Sequence, residues 1–141
     1  MKSEVVASRF SASATSAAAA RDLVERTLER WQVPPEVIED ALLLTSELVS
    51  NVVRHADTAC RVRIRCREGM IRVEVEDQGG GPVILRTPTV DETEGRGLRI
   101  VAAVATRWGN AVLSGGRHVV WFELDDNPRR SRDDVRSQGR S

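Results

Sequence analysis

The chain has 141 residues, 40% hydrophobic and 30% charged, the size and balance of a single soluble globular domain with a real core. Lysine plus arginine is 21 and aspartate plus glutamate is 21, so the net charge is zero and the excess charge of a nucleic-acid coat or a polybasic membrane binder is absent. Of the 21 basic residues only Lys2 is a lysine, which excludes a Walker-A lysine, the β3 lysine of a eukaryotic-type protein kinase and a Schiff-base lysine in the core.

In chain order, Val5–Phe10 reads as a short first strand. The run Ser11-Ala12-Ser13-Ala14-Thr15-Ser16 offers several N-caps to an alanine-rich helix over 17–31, with Leu23, Val24, Thr27, Leu28 and Trp31 at helical spacing. Val33-Pro34-Pro35 ends this helix and opens a second, from Pro35 to Ala56, with an apolar stripe through Val37, Ile38, Ala41, Leu42, Leu44, Leu48, Val49, Val52 and Val53. Two strands follow with clean alternation. In Cys60–Arg67 the even positions are apolar and the odd ones are all Arg; in 71–77, Ile71, Val73 and Val75 alternate with Arg72, Glu74 and Glu76. Glu68-Gly69 makes the turn, and arginines are expected to pair with glutamates on the wet face of a hairpin. Cys60 and Cys66 share the apolar parity. They are too few for a disulfide framework and lack a second Cys/His pair for zinc, so they read as reduced packing residues.

Residues 78–94 are loop-like, and a loop that long in a small domain is usually functional. A helix is expected over 97–106, then strands over 107–113 and 118–124 joined by Ser114-Gly115-Gly116-Arg117. The segment 126–141 is polar and is expected to be a disordered tail after a single domain over 1–125. No apolar run approaches the ~20 residues that cross a bilayer, and no apolar stretch follows Met1-Lys2-Ser3-Glu4, so the expected location is cytoplasmic with no membrane partner. The order of elements predicts an α/β (α+β) two-layer sandwich, a mixed and mostly antiparallel sheet with helices on one face.

Chemistry concentrates in three places. Five of the ten glycines lie in Gly79-Gly81 and Gly95-Gly97, where a missing Cβ lets backbone approach a ligand; the second cluster opens a helix, whose N-terminal N–H groups suit phosphate. In the second helix Glu47, Asn51 and His55 recur at i, i+4 and i+8 within an apolar run. That stripe reads either as a solvated helix face or as a carboxylate base and an amide metal ligand one turn apart.

Taken together the three segments resemble a known superfamily. Glu47-Leu48-Val49-Ser50-Asn51-Val52-Val53-Arg54-His55-Ala56 resembles the N box of the GHKL (Bergerat-fold) ATPases and kinases. Asp77-Gln78-Gly79-Gly80-Gly81 resembles its Asp-x-Gly-x-Gly box, and Gly95-Arg96-Gly97-Leu98 its second glycine box. The order and spacing look like the RsbW-like anti-sigma-factor serine/threonine kinases of the actinobacterial type. That resemblance covers about 5–124 and includes Arg107-Trp108-Gly109 and the closing hairpin.

It implies ATP and Mg²⁺ as cofactors. Asp77 would accept a hydrogen bond from the adenine amino group, and Gly79 and Gly81 would let the backbone pass close to the nucleotide. Asn51 would ligate Mg²⁺. Gly95, Arg96, Gly97 and Leu98 would cradle phosphates, and 78–94 would form a lid. Glu47 would be the general base toward a serine or threonine of an anti-anti-sigma (STAS-type) protein, with a sigma factor as second partner and a homodimer through the first strand. This chain departs from the resemblance in the last hairpin: Arg117-His118-Val119-Val120 lacks the usual small hydroxyl residue near the adenine site. Two other readings are a non-catalytic ATP-binding anti-sigma module and a histidine-kinase-type ATPase domain. Neither His55 nor His118 is placed as a phosphoacceptor, and a nucleic-acid partner is disfavoured by the zero net charge.

Overall fold

A computed structural model describes residues 5–11, 13–56, 59–77 and 96–127. The order is β1 (Val5–Phe10), α1 (Ser16–Arg30), α2 (Pro35–Ala56), β2 (Cys60–Arg67), β3 (Met70–Asp77), α3 (Arg96–Val104), β4 (Arg107–Val112) and β5 (His118–Asp125). The strands form one sheet in the order β1-β2-β3-β5-β4, antiparallel at every described pairing, so the mixed sheet expected from the element order is an antiparallel one.

The alternation sets which face is buried. Cys60, Val62 and Ile64 of β2 face Asp77, Val75 and Val73 of β3, and Val73 and Val75 in turn face Phe122 and Val120 of β5. All of these are buried. The helices cover this face: α2 packs on β2, β3 and β5, with α1 and α3 packed against α2. Ala41, Leu44, Leu48, Val49 and Val52 of α2 are buried as its periodicity predicts, and Leu42 and Val53 are partly buried at the margin. Thr27 and Thr45 are also fully buried, and each donates its hydroxyl to the carbonyl four residues back, Leu23 and Ala41, at 2.7 Å.

The β2–β3 hairpin turns on Glu68 (φ 54°) and Gly69 (φ 75°), the two left-handed residues of a tight turn whose twist matches its strands. α1 begins at Ser16 rather than 17, and its N-cap Thr15 makes no capping bond. The expected cap is replaced by a turn: Ser13 Oγ accepts from the Thr15 N–H and the Ser13 carbonyl from the Ser16 N–H. At the other end Val33 N–H bonds the Leu28 carbonyl and Gln32 N–H the Glu29 carbonyl, with Gln32 at φ 60°, a Schellman closure just before Pro34-Pro35. α3 stops at Val104, short of the expected 106, because the Thr106 N–H is captured by the Glu123 carbonyl of β5. Of the expected tail over 126–141, Asp126 and Asn127 are described, the Asp126 N–H bonding the Gly69 carbonyl, and the rest lies outside the described residues, as does the whole of the expected loop over 78–94.

The other face of the sheet carries the charges. Glu74 pairs with Arg72 at 2.9 Å, Arg65 at 3.6 Å and Arg63 at 4.0 Å; Glu123 pairs with Arg107 at 3.2 Å and Arg72 at 3.6 Å. The Arg72 guanidinium also sits 4.0 Å from the centre of the Trp121 ring. Arg63 and Arg65 therefore pair as the alternation suggests, while Arg61 and Arg67 have no ion pair among the described residues. No helix of the described residues is long and apolar enough to cross a membrane.

The Trp121 indole lies across Gly109 of β4. A Cβ there would meet the ring at 2.7 Å. Gly109→Ala is expected to lower stability by about 1–3 kcal/mol through this overpacking, read as a reduced urea midpoint at unchanged slope. Burial pushes the thiols of Cys60 and Cys66 up, with the Asp126 carboxylate adding to the effect at Cys66. Both are free and buried. At neutral pH they should remain unreactive thiols: Ellman's reagent should label neither in the folded chain and both once urea unfolds it.

Candidate functional site

The candidate site is built at one end of the sheet. Asp77 is the last residue of β3, at the parity of Ile71, Val73 and Val75, so its carboxylate lies on the covered face and is only 3% exposed. A carboxylate at the end of an apolar row needs polar partners, because burying an unpaired charge is costly. One is His118, the first residue of β5, whose Nδ1 lies 3.2 Å from Asp77 Oδ2. Both side chains are largely buried, at 12% and 4% exposure. An ionised carboxylate only accepts, so His118 donates its Nδ1–H in this bond.

The preceding residues make a second connection on the open face. Arg117 Nη1 lies 2.8 Å from Glu76 Oε1. The last two residues of β3 are thus gripped by Arg117 and His118, one pair on each face of the sheet. Leu113 N–H bonds the Arg117 carbonyl and closes the β4–β5 connection behind them.

α2 packs on β2, β3 and β5 and carries two of the other candidates. It closes at Ala56, four positions before Cys60, and Cys60 is the register partner of Asp77. Glu47 and Asn51 sit one helical turn apart on α2, both half-buried. No hydrogen bond or ion pair joins either side chain to another described residue. The third member, His55, belongs to α2, but its side chain lies outside the described residues.

Arg96, Gly97 and Leu98 form the first turn of α3, as the second glycine cluster predicts, and α3 packs against α2. Gly79, Gly81 and Gly95 lie outside the described residues. Among the described residues no group of three His, Cys, Asp or Glu side chains forms a metal cage.

His118 is the residue that reading the sequence missed. Its segment is the one that lacks the usual hydroxyl, and the signal was parity: His118 shares the inward register of Val120, Phe122 and Leu124 just as Asp77 shares that of Val75. Two polar residues at inward positions of neighbouring strands mark a buried pair.

The profile of the histidine kinase-like ATPase domain family matches residues 10–123. No curated protein matches the chain. Among solved structures, that of the RsbU and RsbW domains of Rv1364c from Mycobacterium tuberculosis is similar, with a TM-score of 0.67 at 18% identity over 86% of this chain. The chain spans 32% of that structure's length. A chain of the SiaB–SiaC complex from Pseudomonas aeruginosa is similar at a TM-score of 0.59 and 14% identity, over 84% of this chain and 88% of that one. At such identities the likeness is one of fold.

The two connections at the end of β3 differ in worth. Arg117 is 43% exposed, so Arg117→Ala should change stability by less than about 1 kcal/mol. His118→Leu strips a partner from a buried carboxylate and should cost about 1–3 kcal/mol. Urea unfolding of the two variants checks the order, and equal effects would contradict it.

Proposed function

Because the chain belongs to the histidine kinase-like ATPase domain family, we propose that it is a Mg-ATP-dependent protein serine/threonine kinase of the anti-sigma, partner-switching kind. The observation that carries the reading is Asp77, a buried carboxylate ending an apolar row immediately before the glycines of 79–81. A carboxylate in that setting suits the exocyclic amine of adenine, and glycines beside it leave room for a base and sugar. α3 opens with Arg96-Gly97-Leu98 after Gly95, and the free N–H groups of a helix start suit the phosphates.

The residues present fit Mg²⁺ that arrives with its nucleotide. Asn51 offers one neutral oxygen, and no acidic cage is present among the described residues. For a hard cation that arrives with its nucleotide, Asn51 would be enough of a protein ligand. The ion supplies charge neutralisation on the phosphates. Glu47, one turn before Asn51, is assigned the general base, taking the proton from a serine or threonine hydroxyl as that oxygen attacks the γ-phosphoryl group.

The partners follow from the same reading. One structural neighbour includes an RsbW domain and another belongs to a two-protein complex, which supports a protein substrate, here proposed to be a STAS-type anti-anti-sigma protein, and a sigma factor as the competing partner. A homodimer and a cytoplasmic location belong to the same proposal.

The test is phosphotransfer from γ-labelled ATP to a panel of STAS-type proteins. The wild-type chain is expected to label a serine or threonine. Glu47→Ala should slow transfer about 10²–10⁴-fold while leaving ATP binding within a few-fold. Asn51→Ala should weaken binding of Mg-ATP and leave metal-free nucleotide binding nearly unchanged. Absence of nucleotide binding at millimolar Mg-ATP would overturn the reading. Binding without transfer to any substrate would replace the kinase by a non-catalytic ATP-binding module.

A further inference from the structure

We infer that His118 is a positioning residue for base recognition: its Nδ1–H holds Asp77 Oδ2 and so fixes the plane in which that carboxylate meets an exocyclic amine. The inference rests on the reading of Asp77 as the acceptor for adenine and deepens it. Aspartate rotates freely about its last torsion unless something holds it, since that torsion is broad and two-fold. A carboxylate offers about four lone-pair sites, so a bond from His118 leaves acceptor capacity for a ligand. A bond at 3.2 Å to one oxygen, made from the first residue of β5, next to the paired Glu76 and Val119, sets where the remaining lone pairs point.

Two features separate this from an ordinary structural pair. First, the pair stands on an otherwise apolar face. Every other inward residue of β3, and Val120, Phe122 and Leu124 of β5, is a buried hydrophobe. Filling Asp77 and His118 together with apolar side chains would cost the fold little, because replacing both partners of a buried hydrogen bond by apolar groups of similar shape is often nearly neutral. Second, the imidazole does not stand alone on a free strand end. Arg117, the residue before it, is tied to Glu76 at 2.8 Å, and the Arg117 carbonyl is bonded by the Leu113 N–H. The backbone carrying the histidine is held from both sides, so the ring is an anchored donor where a small hydroxyl would reach less far.

Discrimination by a single amine measures the role. Purine riboside triphosphate is ATP without its 6-amino group. Calorimetric titration of the full chain with each ligand, in the presence of Mg²⁺, should show ATP bound about tenfold or more tightly, the worth of one hydrogen bond to a charged acceptor. His118→Asn places an amide N–H near the position of Nδ1 and should keep most of that preference. His118→Gln places its amide farther out, and His118→Leu removes the donor; both should bring the two ligands to within about threefold while the analogue's own affinity changes little. A loss of folding would weaken both ligands together, so the ratio separates positioning from structure, and the polar Gln variant supplies it should the Leu variant not fold. A ratio unchanged in His118→Gln and His118→Leu would overturn the inference. Equal weakening of both ligands in every variant would overturn it too and leave His118 a structural partner. Asp77→Asn distinguishes the levels. If the wild-type chain shows no preference, or Asp77→Asn retains it, the adenine reading of Asp77 itself fails. If Asp77→Asn abolishes the preference and the His118 variants keep it, only the role of His118 fails.

Discussion

The structure depends on a strict two-residue alternation through β2, β3 and β5. Each strand gives its apolar parity to one face, and the registers Ile64↔Val73 and Val73↔Phe122 bring those parities into one continuous apolar layer. Slipping any pairing by one residue would turn arginine and glutamate inward and valine outward. The tight turn at Glu68-Gly69 sets the β2–β3 register from one end, and the Glu74 ion pairs reinforce it from the wet face. A sheet apolar on one side only must be covered on that side only, and α2, which packs on β2, β3 and β5, supplies most of the buried helical residues described.

The exception to the alternation lies where the site is proposed. Asp77 keeps the inward register but not the apolar character. Stability alone would favour another valine there. The cost of a buried carboxylate is offset by His118, and the position becomes a fixed polar point at the rim of a dry layer. Sites need this combination: an apolar wall against which a flat ligand ring can lie, and one directed acceptor to set its orientation.

Much of this was legible in the chain. Alternating Arg and apolar residues between 60 and 67 can only be a one-sided strand, and the 35–56 stripe can only be a helix buried against something, so β2 and α2 emerge with the boundaries their patterns predict. The start of α1 was less legible, because a run of Ser, Thr and Ala offers several equivalent caps and the choice is made by a turn at Ser13. The end of α3 was decided by a non-local event, the capture of Thr106 by β5, which no local propensity encodes. The site divides the same way. Asp77 was marked by its glycine-rich sequel and Asn51 by its polarity within an apolar run. His118 was hidden, because pairing it with Asp77 requires the β3–β5 register, a contact between residues 41 positions apart.

The near-absence of lysine gains a physical sense from this arrangement. Phosphate schemes built on lysine use a mobile point charge on a long stem. Here the proposed anion-facing groups are the backbone N–H groups at the start of α3, fixed by main-chain geometry, and a metal ion that the Asn51 amide would hold. Arginine meanwhile fills the open face of the sheet, where its planar group can serve several partners at once, as Arg72 does with Glu74, Glu123 and the Trp121 ring. The charge balance of zero therefore conceals a division: arginines and glutamates interleave on one face of the sheet, while on the other the buried Asp77 carboxylate meets the His118 imidazole. No excess of basic charge is left over for a polyanion in such a chain; on the proposed reading its charges serve the sheet, and the ligand is met by dipoles, one amide and one anchored acid.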